Sequence, residues 1–345
     1  MARIVLADDG IEFDGRSPEL GPLGGVESSV VALTAELAAR GHEIHVRNKC
    51  PRAMNHRGVD WRPIGRSNWP DDVDLYIANR GDKLLELMPG ARRTVFWIHN
   101  PARYLMKWRY LAKLWRIKPA IIFIGEYHAT TYPGWAPGGE RMVIPYGLPD
   151  TFCEAEPAAD PPPPKAVFTS NPLRSLGWLL DLWAERIAPE VAGAELHLFT
   201  GAATYGRVGD AKADAMERVF NQARSLEGRG VRLRGAVAKA ELVEEFRGSR
   251  CMLYRGDANE TFCLAVGEAQ AMGVPAVVQN LGSVSERVID GETGSIVADD
   301  ADFAEAAVRL LTDDELWQRQ QAAALQKQRR WRWPDAAARF EELIP

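Results

Sequence analysis

Two acidic residues, Glu260 and Glu268, flank the point where a loop is expected to pass into a helix. Carboxylates in such positions can accept hydrogen bonds from hydroxyl groups and can stabilise positive charge that develops at a reacting carbon. The pattern that follows Glu260 predicts a helix over residues 261–272, and a helix N-terminus favours an anion such as a phosphate. The backbone groups expected to face that anion belong to Thr261, Phe262, Cys263 and Leu264. The stretch therefore predicts a site for a ligand that carries both phosphate and hydroxyl groups.

Other positions carry residue types suited to the same kind of ligand. His99 ends a predicted strand, and open α/β sheets bind ligands at the carboxyl ends of their strands. The pair Gly24 and Gly25 would let the backbone approach an anion closely, and Arg174 would supply a positive charge. Each has a plainer interpretation. His99 could be a neutral histidine that hydrogen-bonds to backbone groups, Gly24 and Gly25 could form an ordinary turn, and Arg174 could be a surface arginine.

The segment from Arg92 to Gly125 interleaves basic with aromatic side chains and contains no acidic residue until after Gly125. A basic helix of this kind fits binding to anionic lipid headgroups, or to an acceptor that bears phosphates or carboxylates. The alternative is a helix packed on the core with a solvated basic face. Apolar residues recur at helical spacing at Leu105, Trp108, Leu111, Ala112 and Trp115. The residues expected to form the acceptor or membrane face are Lys107, Trp108, Arg109, Lys113 and Arg116.

These residues must be positioned by strands and helices that alternate along the chain. The alternation is typical of βαβ units and a parallel sheet. Strands are predicted at 4–7, 43–46, 75–78, 94–98, 120–124, 142–144, 166–169, 195–199, 231–234, 251–254, 276–279 and 295–297, and helices at 26–40, 178–187, 211–225 and 261–272. No motif stands out between residues 50 and 90. The proline-rich run at 154–164 can form neither a helix nor a central strand, and it predicts a linker between two domains.

Several stretches of the sequence resemble family 4 retaining glycosyltransferases of the GT-B fold. Glu260 and Glu268, with the following Ala-Gln-Ala-Met-Gly-Val-Pro, are similar to the paired-glutamate signature of that family. The run from Gly282 to Gly294 resembles the segment that closes the family's donor domain, and Gly24-Gly25-Val-Glu resembles its glycine pair. The resemblance implies an α/β protein of GT-B architecture, in which two Rossmann-like, doubly wound parallel-sheet domains face each other across a cleft. The implied ranges are 1–150 for an N-terminal acceptor-side domain, 151–165 for the linker, 166–325 for a nucleotide-sugar-binding domain, and 326–345 for a terminal helix that crosses back to the first domain.

The resemblance also implies an activity and roles for particular residues. The activity is transfer of a sugar from a nucleoside diphosphate sugar to a hydroxyl of a carbohydrate or glycolipid acceptor, with retention of anomeric configuration, in cell-surface glycan or glycolipid synthesis. Glu260 would be catalytic and position the sugar, His99 would contact the transferred sugar, and Glu268 would hold the ribose. The residues implied to bind the donor phosphates are Gly24, Gly25, Arg174 and the helix start at 261–264.

At one position the chain departs from the family. Leu176 stands where a lysine usually grips the donor phosphates, so Arg174 lacks the cation that usually accompanies it. Either Arg174 acts together with backbone N–H groups, or Arg255 or another basic residue replaces the lysine. Two alternatives therefore stay open: a non-catalytic partner subunit that binds sugar nucleotides, and a nucleotide-sugar epimerase or phosphorylase of the same fold. A dinucleotide dehydrogenase is disfavoured because no Gly-x-Gly-x-x-Gly follows the first strand. The loops near residues 8–23 and 235–240 are expected to determine the base, the sugar and the acceptor.

Composition and charge exclude further classes of protein. A formal net charge of -5 argues against a general nucleic-acid binder. The four cysteines are scattered without metal-binding spacing, so reduced, buried thiols are expected. Asp72-Val-Asp74 is interpreted as a solvated loop, and the family resemblance implies neither a metal nor a prosthetic group. The N-terminal apolar run is too short for a signal peptide and no stretch is long enough to span a bilayer, so we expect a cytoplasmic protein, peripheral on the inner face of the membrane if the basic segment binds lipid.

Overall fold

The computed structural model describes residues 1–65, 69–201 and 212–345, which divide into two compact units. Unit 1 comprises Met1–Gly147 together with Arg332–Pro345, and unit 2 comprises Leu148–Trp331. The sequence predicts a first boundary at residue 150 and a returning segment from residue 326. In the structure the chain changes unit after Gly147 and again at Arg332.

Unit 1 is built on one sheet. Its strands are β1 (Arg3–Asp8), β2 (Glu43–Asn48), β3 (Met54–His56), β4 (Val59–Pro63), β5 (Leu75–Asn79), β6 (Arg93–Trp97), β7 (Ala120–Phe123) and β8 (Arg141–Val143). They pair in the order β3-β4-β2-β1-β5-β6-β7-β8, and every neighbouring pair is parallel except β3 with β4. The chain proceeds in opposite directions from β1, through β2 on one side and β5 on the other. Such a switch point is where open α/β sheets bind ligands.

The hairpin β3–β4 lies in the region where the sequence shows no motif. Its two strands are joined by Arg57 and Gly58, and both residues have positive φ angles, 49° and 77°. Two consecutive residues with positive φ are the signature of a type I′ turn, which usually has Asn-Gly or Asp-Gly. Arginine rarely adopts this conformation. The sequence therefore lacks the signal by which the hairpin could have been predicted.

Unit 2 is built on a second sheet. Its strands are β9 (Lys165–Phe168), β10 (Glu195–Leu198), β11 (Val231–Leu233), β12 (Cys251–Leu253), β13 (Ala276–Gln279) and β14 (Gly294–Val297). They pair in the order β11-β10-β9-β12-β13-β14, and all of these pairs are parallel. The switch point of this sheet lies between β9 and β12. The two doubly wound sheets confirm the predicted α/β class.

Helices connect the strands in both units. The α-helices of the described residues are α1 (Ser17–Leu20), α2 (Gly25–Ala39), α3 (Trp108–Ile117), α4 (Glu126–Thr130), α5 (Asp150–Cys153), α6 (Leu176–Leu182), α7 (Ala213–Ser225), α8 (Lys239–Arg247), α9 (Leu264–Ala271), α10 (Asp300–Thr312), α11 (Asp314–Gln328) and α12 (Trp333–Glu341). Short 3-10 turns cover Leu84–Glu86, Ala102–Met106, Ala188–Glu190, Glu227–Arg229 and Val284–Arg287, and a π-helical turn, Trp183–Ile187, extends α6. The predicted start of a helix at Ala211 lies outside the described residues. The predicted helix 261–272 begins later, at Leu264.

The last helix, α12, belongs to unit 1 and packs against α2. Its residue Phe340 is buried, and the ring centroids of Phe340 and Trp97 are 5.3 Å apart. At Gly147 the backbone passes so close to α12 that a Cβ atom would lie 2.2 Å from the backbone nitrogen of Trp333. The first and last parts of unit 1 are thus packed together without room for a side chain at residue 147.

All four cysteines are buried and free, as the sequence predicts. In the part of the chain that the structure describes, no helix combines the length and the apolar composition needed to cross a bilayer.

Candidate functional site

The candidate residues of unit 2 gather at its switch point, because two of them lie in the loops that follow β9 and β12. Arg174 comes from the first loop and Glu260 from the second. The two loops are joined where the Ser175 hydroxyl donates a hydrogen bond to the carbonyl oxygen of Gly256, at 3.2 Å. Sequence positions far apart are thereby brought to one edge of the sheet, where parallel α/β sheets bind ligands.

The Glu260 carboxylate is held through one of its oxygen atoms. Oε2 accepts a hydrogen bond from the Tyr254 hydroxyl at 2.8 Å and an ion-pair hydrogen bond from the Arg174 guanidinium. Burial and the neighbouring Glu260 charge raise the pKa of Tyr254 well above its ordinary value, so its hydroxyl remains a donor. Oε1 accepts no hydrogen bond from the described residues. This oxygen is placed to receive a hydroxyl of a ligand.

The backbone of Glu260 is fixed by the glycine-containing segment after β13. The Ser283 amide donates to the Glu260 carbonyl at 3.1 Å. Gly282 has a φ of 64°, and a Cβ atom there would lie 2.2 Å from the carbonyl oxygen of Asp257 and 2.9 Å from that of Glu260. Only glycine both adopts this left-handed conformation readily and leaves room for these two carbonyl oxygens. The segment that begins at Gly282 therefore holds Glu260 in place.

The helix that follows Glu260 begins differently from the prediction. Cys263 adopts a left-handed conformation, with a φ of 62°, and α9 begins at Leu264. The N–H groups of the first helical turn are therefore those from Leu264 onward, and not those of Thr261 and Phe262. Thr261, Phe262 and Cys263 are all buried. Cys263 is the N-cap of α9, whereas Thr261 and Phe262 precede the helix and lead the chain from Glu260 to its start. Donor binding by these residues stays a prediction.

Glu268 lies one turn inside α9, because the helix starts at Leu264. Its side chain is 9% exposed, and Oε1 accepts an ion-pair hydrogen bond from the ammonium group of Lys239, the first residue of α8. Oε2 has no hydrogen-bond partner among the described residues. Sequence reasoning did not identify Lys239 or Tyr254, because each meets its glutamate only in the folded chain.

Leu176, at the position where the family usually has a lysine, is the first residue of α6 and is completely buried in the core of unit 2. Arg255, considered as a possible replacement, lies with its guanidinium carbon 4.8 Å from the centroid of the Trp178 ring and donates to Gln279 Oε1 at 2.8 Å. Arg174 is thus the predicted cation that the structure places beside Glu260.

In unit 1, His99 follows β6 and is 4% exposed. Its Nδ1 lies 2.5 Å from the Tyr146 hydroxyl and its Nε2 contacts Asn79 Oδ1. Since an amide oxygen can only accept, Nε2 carries the proton and Nδ1 accepts from Tyr146. Burial, and then the positive charge of Arg80, lower the pKa of His99 well below its ordinary value. His99 is therefore a neutral, fully engaged imidazole.

His99 belongs to a chain of buried polar side chains that extends to α2. Asn79 Nδ2 donates to Asp8 at 2.5 Å, and Arg80 donates to Asp8 at 3.1 Å and to Glu27, in the first turn of α2, at 2.8 Å. Arg80 also has a positive φ of 59°, which is uncommon outside glycine. The network crosses the carboxyl ends of β1, β5 and β6, at the switch point of the first sheet.

The predicted glycine pair lies at the start of α2. Gly24 is the N-cap and Gly25 the first helical residue, and no side chain of the described ranges caps the N–H groups at this end of the helix. The Glu27 side chain, which could have occupied it, is instead directed to Arg80. The first N–H groups of α2 are therefore arranged as in helix termini that bind anions.

The exposed face of α3 carries tryptophans as well as basic residues. Trp108, predicted to lie on the acceptor or membrane face, and Trp115 are 80% and 71% exposed, whereas Tyr110 and Leu114 are buried. Lys113 pairs with Asp82 and Glu86, at 3.3 and 2.9 Å, and Arg109 and Arg116 lie next to the same two acids. Part of the positive charge is thus neutralised by acids that precede the segment in sequence. The outward face of α3 is more aromatic and less basic than the sequence indicates.

No group of three or more histidine, cysteine, aspartate or glutamate residues within 1–65, 69–201 and 212–345 is arranged to hold a metal ion.

Comparison with known proteins gives the family context of unit 2. Residues 165–313 match the sequence profile of the family described as glycosyl transferases group 1. A D-inositol 3-phosphate glycosyltransferase from Corynebacterium diphtheriae is 38% identical over 87 residues, which are 25% of this chain and 20% of that protein. A protein of the same description from Stackebrandtia nassauensis is 38% identical over 81 residues, 23% of this chain and 18% of that protein. The alignments thus span about a fifth of the length of these relatives.

Similarity to solved structures extends over both units. Sucrose-phosphate synthase from Thermosynechococcus elongatus superposes with a TM-score of 0.72 at 16% identity, over 99% of this chain and 98% of that chain. Anabaena HepE, solved in complex with UDP and glucose, superposes with a TM-score of 0.73 at 14% identity, over 99% of both chains. At such identities the likeness shows the fold. The chain therefore has the GT-B fold, and its residues 165–313 are similar to the glycosyl transferases group 1 family.

Proposed function

We propose that the chain is a glycosyltransferase that moves a sugar from a nucleoside diphosphate sugar to an acceptor hydroxyl with retention of anomeric configuration, in cell-surface glycan or glycolipid synthesis. The observation that carries the proposal is the arrangement of Glu260. Its carboxylate lies at the switch point of unit 2, is held by Arg174 and Tyr254 through Oε2, and keeps Oε1 without a partner among the described residues. The match of residues 165–313 to a glycosyltransferase family supports the same activity.

The proposed reaction uses these groups as follows. The bond between the anomeric carbon and the donor phosphate breaks, and the acceptor oxygen forms a bond to the same face of that carbon. The proton of the acceptor hydroxyl passes to the departing phosphate oxygen. Glu260 holds a sugar hydroxyl and stabilises the positive charge that develops on the sugar, while Arg174 and the first N–H groups of α9 stabilise the negative charge on the leaving group.

The donor we propose is a UDP-sugar, because HepE, which shares the fold, was solved with UDP and glucose and also with UDP-glucose. Gly24, Gly25 and Arg174 are proposed as phosphate-binding residues. The Glu268 carboxylate is proposed to accept hydrogen bonds from the ribose hydroxyls. His99 is proposed to contact the transferred sugar. Since both ring nitrogens of His99 have partners, that contact requires one of them to exchange Asn79 or Tyr146 for the sugar.

The test is a transfer assay with the full chain and Glu260→Gln, which keeps the size of the side chain and removes its charge. Melting temperature is first measured with UDP, GDP, ADP, dTDP and CMP sugars, since a site that is saturated well above its Kd raises stability visibly. The variant is expected to bind the donor and to lose at least about a hundredfold in transfer rate. Glu305→Gln, an exposed acid of α10, is the matched control and should keep the full rate.

Two outcomes would contradict the proposal: unchanged turnover in Glu260→Gln, or a product whose anomeric configuration, read by proton NMR coupling constants, is inverted. If no nucleotide sugar changes the melting temperature, the proposed donor class is wrong.

A second candidate function is a non-catalytic subunit that binds sugar nucleotides. The observation that favours it concerns residue 176. Leucine stands there in place of the usual lysine and is completely buried, so it provides no second cation beside Arg174. In that case the protein would bind a nucleotide sugar, but neither transfer nor donor hydrolysis would depend on Glu260.

We also propose that the exposed face of α3 binds an anionic membrane surface, which would make the protein peripheral on the cytoplasmic side. Trp108 and Trp115 are seven residues apart and project from the same side of the helix, and tryptophan is suited to the interface between lipid and water. Trp108→Ser/Trp115→Ser should reduce sedimentation with phosphatidylglycerol vesicles. Trp135→Ser, which removes a tryptophan 77% exposed elsewhere in unit 1, should not. Equal sedimentation of both variants would contradict the proposal.

A further inference from the structure

The ion pair between Lys239 and Glu268 has no role in the reaction described above. Lys239 begins α8, after the loop that follows β11, whereas Glu268 lies inside α9. The ammonium group of Lys239 donates to Glu268 Oε1 and also lies 6.0 Å from the centroid of the Phe152 ring. The lysine side chain is 31% exposed and the glutamate 9% exposed. The pair therefore has one solvent-accessible member.

The two groups have complementary capacities that the ion pair does not use up. An ammonium group has three N–H donors and no acceptor, and a carboxylate only accepts. One donor of Lys239 is engaged by Oε1, while Oε2 of Glu268 has no partner among the described residues. Donors and an acceptor thus remain next to each other. An ammonium donor beside a carboxylate acceptor suits a ligand that offers two adjacent hydroxyl groups, one donating to Oε2 and one accepting from Nζ.

We propose that Lys239 and Glu268 together recognise the cis-diol of a ribose, and that Lys239 thereby selects ribonucleotide over deoxyribonucleotide donors. This inference rests on the proposed function, which places the ribose at Glu268. It adds a second residue, supplied by the loop after β11, and a specificity for both ribose hydroxyls. A donor that lacks one of them leaves either Nζ or Oε2 without the expected partner.

The alternative role for Lys239 is structural, namely to neutralise a poorly solvated carboxylate. The two roles predict different behaviour towards ligands. A structural lysine affects the binding of all nucleotides by the same factor, because its removal disturbs Glu268 whatever hydroxyls the ligand carries. A lysine that binds one hydroxyl affects only those ligands that contain that hydroxyl.

The experiment measures the binding of UDP, 2′-deoxy-UDP and 3′-deoxy-UDP to the full chain by calorimetry. The wild type is expected to bind UDP at least about tenfold more tightly than either analogue, the usual size of a hydrogen bond to a charged group. Lys239→Met should weaken the binding of UDP by a similar factor. It should leave the Kd of one analogue, the one that lacks the hydroxyl bound by Nζ, within about twofold of the wild type.

Lys239→Arg keeps the charge and the donors, and it should retain most of the preference for UDP. Lys327→Met removes another lysine of unit 2, 3.7 Å from Glu292, and is the matched control for loss of charge; it should bind all three ligands like the wild type. Melting temperatures establish that each variant is folded.

The outcomes separate this inference from the proposed function. If none of UDP, GDP and ADP binds the wild type, the proposed function fails. If UDP binds but the wild type does not distinguish it from the two analogues, the inference is overturned without any variant. The inference is equally overturned if Lys239→Met weakens the binding of all three ligands by the same factor.

Discussion

His128 provides a prediction whose magnitude follows from the structure. The residue lies in α4 and is completely buried. Its Nδ1 accepts from the Ile124 amide at 3.2 Å, and its Nε2 donates to the carbonyl oxygen of Asn100, the residue after His99, at 2.8 Å. A proton on Nδ1 would point at the Ile124 N–H and break this hydrogen bond. Burial lowers the pKa of His128 to about 4.

The sign of the pH effect follows from linkage. In the unfolded chain a histidine has a pKa of about 6.5, so between about pH 6.5 and pH 4 the unfolded state binds a proton that folded His128 does not. The contribution of neutral His128 to the stability of the fold is therefore fully present above pH 6.5 and is lost as the pH falls. At pH 5 the loss from this residue is about 2 kcal/mol, at roughly 1.4 kcal/mol per pH unit.

The assay is urea unfolding at pH 7.5 and pH 5.0 for the wild type and for His128→Gln, which cannot be protonated. The substitution itself lowers stability at both pH values, because the two hydrogen bonds are altered. The difference between the two pH values isolates the proton, and we expect it to be about 2 kcal/mol smaller in the variant. Buried His99 and other titrating groups contribute equally to both proteins.

The reasoning would be refuted if wild type and variant lost the same free energy of unfolding between pH 7.5 and pH 5.0. An NMR titration provides an independent check. The His128 ring protons should show no titration near pH 6.5 in the folded protein.

Three further predictions concern packing, backbone and metal. Gly147→Ala should destabilise unit 1 by several kcal/mol, because its Cβ would lie 2.2 Å from the Trp333 nitrogen; the check is faster limited proteolysis of the C-terminal segment, and an unchanged rate would contradict it. Cys263→Val should lower stability by about 1–2 kcal/mol more than Cys263→Gly, since a β-branched residue is strained at a φ of 62° and glycine is not; equal melting temperatures would show that buried packing, not backbone conformation, decides. Transfer activity should persist in excess EDTA, and a requirement for added Mg²⁺ or Mn²⁺ would refute the metal-independent reaction.

The strand positions and the parallel α/β class were largely predictable from sequence because buried parallel strands are short apolar runs bounded by turn residues. The α/β class and most strand positions follow from that pattern, and the paired glutamates indicated the family. The hairpin β3–β4 was not predictable, because a type I′ turn formed by Arg57 and Gly58 lacks the usual signal. The start of α9 was predicted too early, since the left-handed conformation of Cys263 depends on how the loop after Glu260 packs.

The environment of the candidate site was the less predictable part. Glu260 and Glu268 could be singled out by their spacing, but no local pattern pairs them with their partners. Arg174 and Lys239 come from other parts of the chain, and Tyr254 lies six residues before Glu260 in the same loop. The same holds for α3. Helical periodicity identifies its apolar residues, but it does not show which of them face the core when aromatic and basic residues alternate.

The four outermost strands of the two sheets, β3, β8, β11 and β14, are only three or four residues long. An unpaired strand edge presents backbone N–H and C=O groups with which another chain can pair, and short edges limit that risk. The longer strands are all paired on both sides within their sheets. A concentrated population of this protein consequently presents little backbone on which intermolecular β-aggregates could nucleate, even though its central strands are almost entirely apolar.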